Sequence, residues 1–138
     1  MSIIASVKDY LAACPLLSGK EININYLSPQ ADSFAIDSVA REPVVKRYVS
    51  GETVRQYCFL LAGRIAYDRD VAENAGVSAF FEALEAWIEA RNNAGIFPVL
   101  SDGVPIAVEI VKSGAIKDTA RTSARVEIEL RLLYKRNN

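Results

Sequence analysis

Residues 43–67 constrain the fold more than any other stretch of this chain. Two extended segments, Val44–Val49 and Val54–Tyr67, flank the turn-forming residues Ser50-Gly51-Glu52-Thr53. That pattern predicts a long β-hairpin. Pro43 sets it off, because a residue before proline is pushed towards extended geometry, and Glu42 then leads straight into the first arm. Side chains alternate across a strand. On the second arm Tyr57, Phe59, Leu61, Ile65 and Tyr67 therefore share one face, and Val54, Gln56, Cys58, Leu60 and Ala62 share the other. Both faces are partly apolar, which predicts an interior strand covered on one side by helix. Gly63 interrupts the apolar row, as at a bulge or a close approach.

The segments around the hairpin fit an α+β layout. Ser2 is placed to cap a helix running to about Ala13, with Ile3, Ile4, Val7, Tyr10, Leu11 and Cys14 on one stripe. Glu21–Tyr26 alternates as a half-buried strand, and Ser33–Val39 reads as a shorter one. A second helix is expected from about Val77 to Asn92, with Phe80, Phe81, Leu84, Trp87 and Ile88 on its apolar stripe. Glu82, Glu85 and Glu89 form its wet side, and Asp70 with Glu73 fits a capping box ahead of it. Val104–Lys112 reads as a strand and Ser113–Thr122 as a polar loop. Arg125–Tyr134 closes the chain with the cleanest alternation of all: Val126, Ile128, Leu130, Leu132 and Tyr134 against Arg125, Glu127, Glu129 and Arg131. Strands adjacent in sequence usually pair. The expected architecture is one domain over residues 1–138, a single mostly antiparallel sheet with both helices on one face.

Composition narrows the chemistry. A chain of 138 residues can bury roughly two-thirds of its unfolded surface. Its longest apolar runs fall well short of the ~20 residues of a membrane span. There is no histidine, so no nucleophile–histidine pair can form, and two cysteines alone cannot complete a four-ligand zinc site. The glycine spacings match neither GxxxxGK[ST] nor GxGxxG. Asp68-Arg69-Asp70 reads as a solvated helix start ahead of a hard-cation site. Glu127 and Glu129 would suit acid–base work by type, but Arg125 and Arg131 flank them in the same row, which favours a salt-bridge ladder across strands. Cys14 and Cys58 read as small buried hydrophobes with free thiols. The chain is expected to be a cytosolic protein with no catalytic residues, cofactor or metal.

Charge is unevenly distributed. Residues 41–67 carry a net +3 and residues 68–110 a net −6, within an overall charge of −1. The near-zero total argues against strong nonspecific binding to nucleic acid. Lys46, Arg47, Arg55 and Arg64 make a basic zone near Tyr48 and Tyr57. Lys46 and Arg47 leave opposite faces of a strand, so a continuous basic groove does not form, and a protein interface is the better reading.

The hairpin also carries a family resemblance. Pro43-Val44-Val45-Lys46-Arg47-Tyr48, Gly51 and Thr53-Val54-Arg55-Gln56-Tyr57 resemble the minor capsid or tail-associated proteins of tailed phages and prophages of Gram-positive bacteria. Three further pieces are similar in the same order. They are Phe80-Phe81 with Leu84-Glu85-Ala86-Trp87-Ile88, then Phe97-Pro98-Val99-Leu100-Ser101-Asp102-Gly103, then Asp118-Thr119-Ala120 with Arg125 to Tyr134. The chain departs from the pattern at Ala115-Ile116-Lys117, where a more aromatic stretch is usual. By size and element order the family is similar to tail terminators, α+β proteins that assemble as hexameric rings, cap the finished tail tube and face the head connector. The resemblance therefore implies a structural protein with no catalytic residues. It implies assembly in the host cytoplasm and a final place in the virion neck or tail. Its partners would be further copies of itself, a tail tube protein and a head–tail connector protein, with no membrane and no specific nucleic acid. In such a ring the acidic 68–110 region of one subunit would face a basic strand edge of the next. That makes Lys46, Arg47, Arg55, Arg64, Asp68, Asp70, Arg125 and Arg131 the candidate interface residues. Two alternatives accompany this reading: another neck or head-completion component, and a small-molecule-binding domain using a pocket between sheet and helices.

Overall fold

The computed structural model describes residues 2–17, 20–25, 27, 33–66, 71–119 and 123–137. Side chains at 65, 66, 71–77, 115, 117–119, 123, 124 and 137 are outside the description. Eight elements follow one another: α1 (Ile3–Ala12), β1 (Glu21–Ile24), β2 (Ser33–Val39), β3 (Val44–Arg47), β4 (Glu52–Ala66), α2 (Val71–Ala94), β5 (Val104–Thr119) and β6 (Ser123–Asn137).

The strands form one six-stranded sheet in the order β1-β2-β4-β6-β5, with β3 also paired to β4. Every pairing is antiparallel except β1 with β2. β4 is the organising strand. Its whole length, Glu52 to Ala66, pairs with β6 without a register shift. Its other edge is shared: β2 takes Cys58–Arg64 and β3 takes Thr53–Arg55. An interior strand with two half-apolar faces is what the sequence pattern requires.

Both helices supply one core on one face of this sheet. Phe59 and Leu61 of β4, Ile128, Leu130 and Leu132 of β6, Phe34 and Ile36 of β2 and Val108 of β5 pack with Val7, Leu11 and Cys14 of α1 and its C-terminal side and with Phe81, Leu84 and Ile88 of α2. Each helix stripe buries because its apolar residues recur at helical spacing. Ser2 caps α1, its hydroxyl accepting from the Ala5 amide at 3.3 Å. Tyr10 and Trp87 join the two helices with ring centroids 5.2 Å apart. Asn92 fastens the end of α2 to β5. Its amide donates to the Val108 carbonyl at 2.8 Å, and its carbonyl accepts from the Val108 amide at 3.0 Å. The side chain thus occupies the outer edge of β5 as a neighbouring strand would, which blunts that edge against foreign pairing.

Gly63 is a close approach and not a bulge. Register runs unbroken through it, opposite Phe34 on one side and Val126 on the other. A Cβ on Gly63 would lie 2.7 Å from two carbons of the Phe34 ring. The glycine is the gap that lets this aromatic side chain lie flat on the central strand.

Several boundaries differ from the sequence reading, and β6 is longer at both ends, Ser123–Asn137. The hairpin turn falls earlier, at Tyr48–Gly51, closed by Gly51 N–H to Tyr48 O at 3.0 Å and Tyr48 N–H to Glu52 O at 2.9 Å; Glu52 and Thr53 already belong to β4. β1 stops at Ile24, where Asn25 takes a positive φ of 58°. α2 begins at Val71, ahead of the expected Val77. Ser113–Thr119 is strand and not loop: β5 runs on to Thr119, held by pairing with β6 through several register shifts. The capping box at Asp70 and the ends of the strands at Tyr26 and Tyr67 lie outside the described residues.

Candidate interaction surfaces

The face of the sheet opposite the helices is paved by charged side chains laid over small ones. Cys58 and Ala62 of β4 and Ala35 of β2 are buried there, flanked in register by Arg131, Glu127 and Val39. Long charged side chains cover apolar surface with their stems while their heads reach water. Arg131 bonds Glu109 across β5 at 2.6 Å and Gln56 across β4 at 3.2 Å. Arg125 bonds Glu127 along the same strand at 3.0 Å. Glu129, only 5% exposed, takes a two-pronged contact from Arg41 at 3.3 Å to each oxygen. The ladder expected from the Glu/Arg row is therefore present but rewired. Arg131 is its cross-strand rung, Arg125 pairs along its own strand, and the partner of Glu129 comes from the β2–β3 connection. Sequence reading missed Arg41, because nothing local marks a loop residue that folds back over β6.

The candidate basic residues do not gather in one place. Lys46 lies opposite Val54 and Arg47 opposite Thr53, so the two leave opposite faces of β3, and both are exposed. Lys46 sits over the Tyr48 ring, 5.0 Å from its centroid. Arg55 donates to the Thr53 hydroxyl at 3.1 Å on the helix side of the sheet. Arg64 is on the opposite side and far end of β4, in register with Arg125, and its buried Nε has no hydrogen-bond partner. Asp68 and Asp70 are outside the described residues.

The hairpin tip is apolar as well as basic. Val49 is fully exposed, and Val45 and Tyr48 are half exposed. A finger of this kind on a folded protein is the usual mark of a protein-facing surface.

Two clefts accompany these surfaces. One, of about 360 Å³, lies between α2 and β5 and is lined by Phe81, Glu82, Glu85, Ser113, Gly114 and Ile116, with Ser78 at its rim. Gly114 makes room for its floor, since a Cβ there would collide with the Phe81 ring. The second, of about 310 Å³, lies between α1, the end of α2 and the Ile96–Val99 link, and its walls are mostly apolar. Tyr10 lines it, and the Tyr10 hydroxyl is buried without a hydrogen-bond partner. Burial raises the Tyr10 pKa to about 12 against the opposing pull of Arg91. Arg91 also lines this cleft and stacks on Trp87 at 4.7 Å.

Both thiols are buried. Burial raises the pKa of Cys14, and burial with the nearby Glu129 carboxylate raises that of Cys58. A raised pKa keeps a thiol protonated and unreactive. Among the described residues no three carboxylate or thiol side chains are grouped to hold a metal ion, and no helix is long and apolar enough to cross a membrane.

No protein-family model matches the chain. No curated protein matches it either.

Proposed function

We propose that this chain is a structural protein of the head–tail junction of a tailed phage or prophage: a tail terminator whose copies form a ring that caps the tail tube and meets the head connector. The observation that carries the reading is the placement of its unsatisfied surface. The carboxylates and guanidiniums of the open sheet face are largely bonded to one another, as in a structural surface. Among the described residues, charges without an ion-pair partner stand at the hairpin tip, Lys46 and Arg47, and on the outer side of α2, Glu82 and Glu85, at opposite ends of the molecule. A subunit with unlike surfaces at opposite ends suits head-to-tail assembly into a ring. The whole-chain resemblance to tail-associated proteins, and the layout of one mostly antiparallel sheet with two helices, support the same reading. The test is electron microscopy of particles produced without this chain. Tails of irregular length, unjoined to heads, are expected. Tails of normal length joined to full heads would refute it, and would leave another neck or head-completion role as the next candidate.

The cleft beside Tyr10 favours a second reading, a small-molecule-binding domain. It is open, mostly apolar, and lined by Tyr10 and Arg91, whose guanidinium would offer a charged contact to a ligand there. A thermal-shift screen decides it: a compound that raises the melting temperature of the wild-type chain but not of Arg91→Ala supports that reading.

A further inference from the structure

The unpaired charges at the two ends of the molecule are opposite in sign, and each set borders exposed apolar surface. At the β3–β4 hairpin, Lys46 and Arg47 have no carboxylate partner among the described residues, beside the bare Val49. At the cleft between α2 and β5, Glu82 and Glu85 have no cationic partner among the described residues, beside Phe81 and the 38%-exposed Ile116. The finger is preformed, since two backbone hydrogen bonds close its turn. The cleft is preformed too, because its floor is the Phe81 ring seated against Gly114.

Finger and cleft cannot meet within one chain. Register puts the finger beside Thr53 and Arg136, and the cleft beside Val126, with Ile116 opposite it. Ten residues of β6 separate those levels, about 33 Å at the usual rise per residue. The two also lie at different edges, with β4 and β6 between β3 and β5. We infer that the hairpin tip of one copy docks in the α2–β5 cleft of the next, Val49 entering over Phe81 and Ile116 while Lys46 and Arg47 meet Glu82 and Glu85. The occupant is a second copy of this chain because each surface supplies what the other lacks in both charge and apolar area. In naming that partner the inference rests on the ring reading. Donor and acceptor surfaces differ, so the contact is heterologous and repeats from copy to copy. A hairpin tip alone buries less than the ~1,000 Å² of a stable interface. Association in free solution is therefore weak and concentration-dependent, and the opposite charges speed encounter and fix register more than they add affinity.

The test uses the full chain at low salt, as an equal mixture of unlabelled and isotope-labelled protein, treated with a carbodiimide that joins amines directly to carboxylates. The expected product is a mixed-isotope crosslink between Lys46 and Glu82 or Glu85. Two double variants follow by sedimentation velocity, Lys46→Glu with Arg47→Glu, and Glu82→Lys with Glu85→Lys. Each alone should weaken self-association at least tenfold, and mixing the two should restore it. All four positions are at the surface, so the unfolding midpoints should match wild type. A chain that yields no mixed-isotope link at Lys46 overturns the inference, as does one whose oligomers survive both reversals. Rings that persist through both reversals would sink this contact and leave the ring reading standing. A confirmed contact that builds only open fibres would sink the ring reading and leave the contact standing.

Discussion

Gly63→Ala is the most informative single change in the core. Gly63 sits in the middle of β4, buried and flanked by β2 and β6. Its φ is not positive, so alanine meets no backbone penalty there. On backbone entropy alone, alanine in a strand should stabilise by roughly 0.5–1 kcal/mol. The geometry opposes this. The new methyl would lie 2.7 Å from two Phe34 ring carbons and 3.5 Å from a Val126 methyl. Carbon atoms prefer separations near 3.5–4 Å, so the ring must retreat by about 1 Å. Phe34 is 2% exposed and stacks on Phe80 with centroids 5.8 Å apart, so it has little room to move. Overpacking of this kind costs about 1–3 kcal/mol. The net expectation is a loss of about 1–2 kcal/mol, read as a fall of roughly 1 M in the urea midpoint with an unchanged slope. Phe34→Leu alone should destabilise. Combined with Gly63→Ala it should cost less than the sum of the two single changes, because the smaller side chain relieves the clash. A Gly63→Ala protein as stable as wild type or more so would refute the close-approach reading.

Three further outcomes follow. Arg41→Ala strips the near-buried Glu129 of its guanidinium and should cost about 1–2 kcal/mol, discounted because Arg41 is 43% exposed; Glu129→Leu in the same background should recover most of the loss in urea unfolding. Asn92→Ala leaves the edge groups of Val108 without their amide partner; it should cost about 1–3 kcal/mol and speed hydrogen exchange at the Val108 amide. Tyr10 keeps its proton in the native chain up to about pH 12, whereas the unfolded chain releases it near 10. This group therefore leaves stability unchanged below pH 10 and weakens folding as pH rises from there through 12. Tyr10→Phe should therefore be neutral or slightly stabilising at pH 7 and should flatten the alkaline fall in the urea midpoint. Tyr57, also raised by burial and tied to the Ser38 hydroxyl, accounts for part of what remains.

How far the fold could be read in advance depended on where the apolar pattern was local. β6 and β4 announce themselves, because strict alternation and two half-apolar faces are properties of consecutive residues. β5 does not. Beyond Lys112 its sequence turns to Ser113, Gly114, Lys117 and Asp118, and only the long pairing with β6 holds it extended. The turn lies two residues ahead of the sequence expectation because Gly51 reads as a turn centre, whereas it is the residue that closes the turn onto Tyr48.

The surfaces divide in the same way. Exposure of Lys46 and Arg47 follows from the hairpin alone. The separation of Arg55 from Arg64 was also legible, since nine residues is an odd interval and puts them on opposite faces of one strand. The partnership of Arg41 with Glu129, the seat of Asn92 on β5 and the cleft over Phe81 each join residues far apart in the chain. No local pattern encodes them.

The most direct test of the account is cryo-electron microscopy of intact particles that carry this chain. A closed ring of its copies at the top of the tail tube, against the head connector, is the predicted result. Density for the chain in the capsid shell or along the tube, with none at that junction, would contradict it.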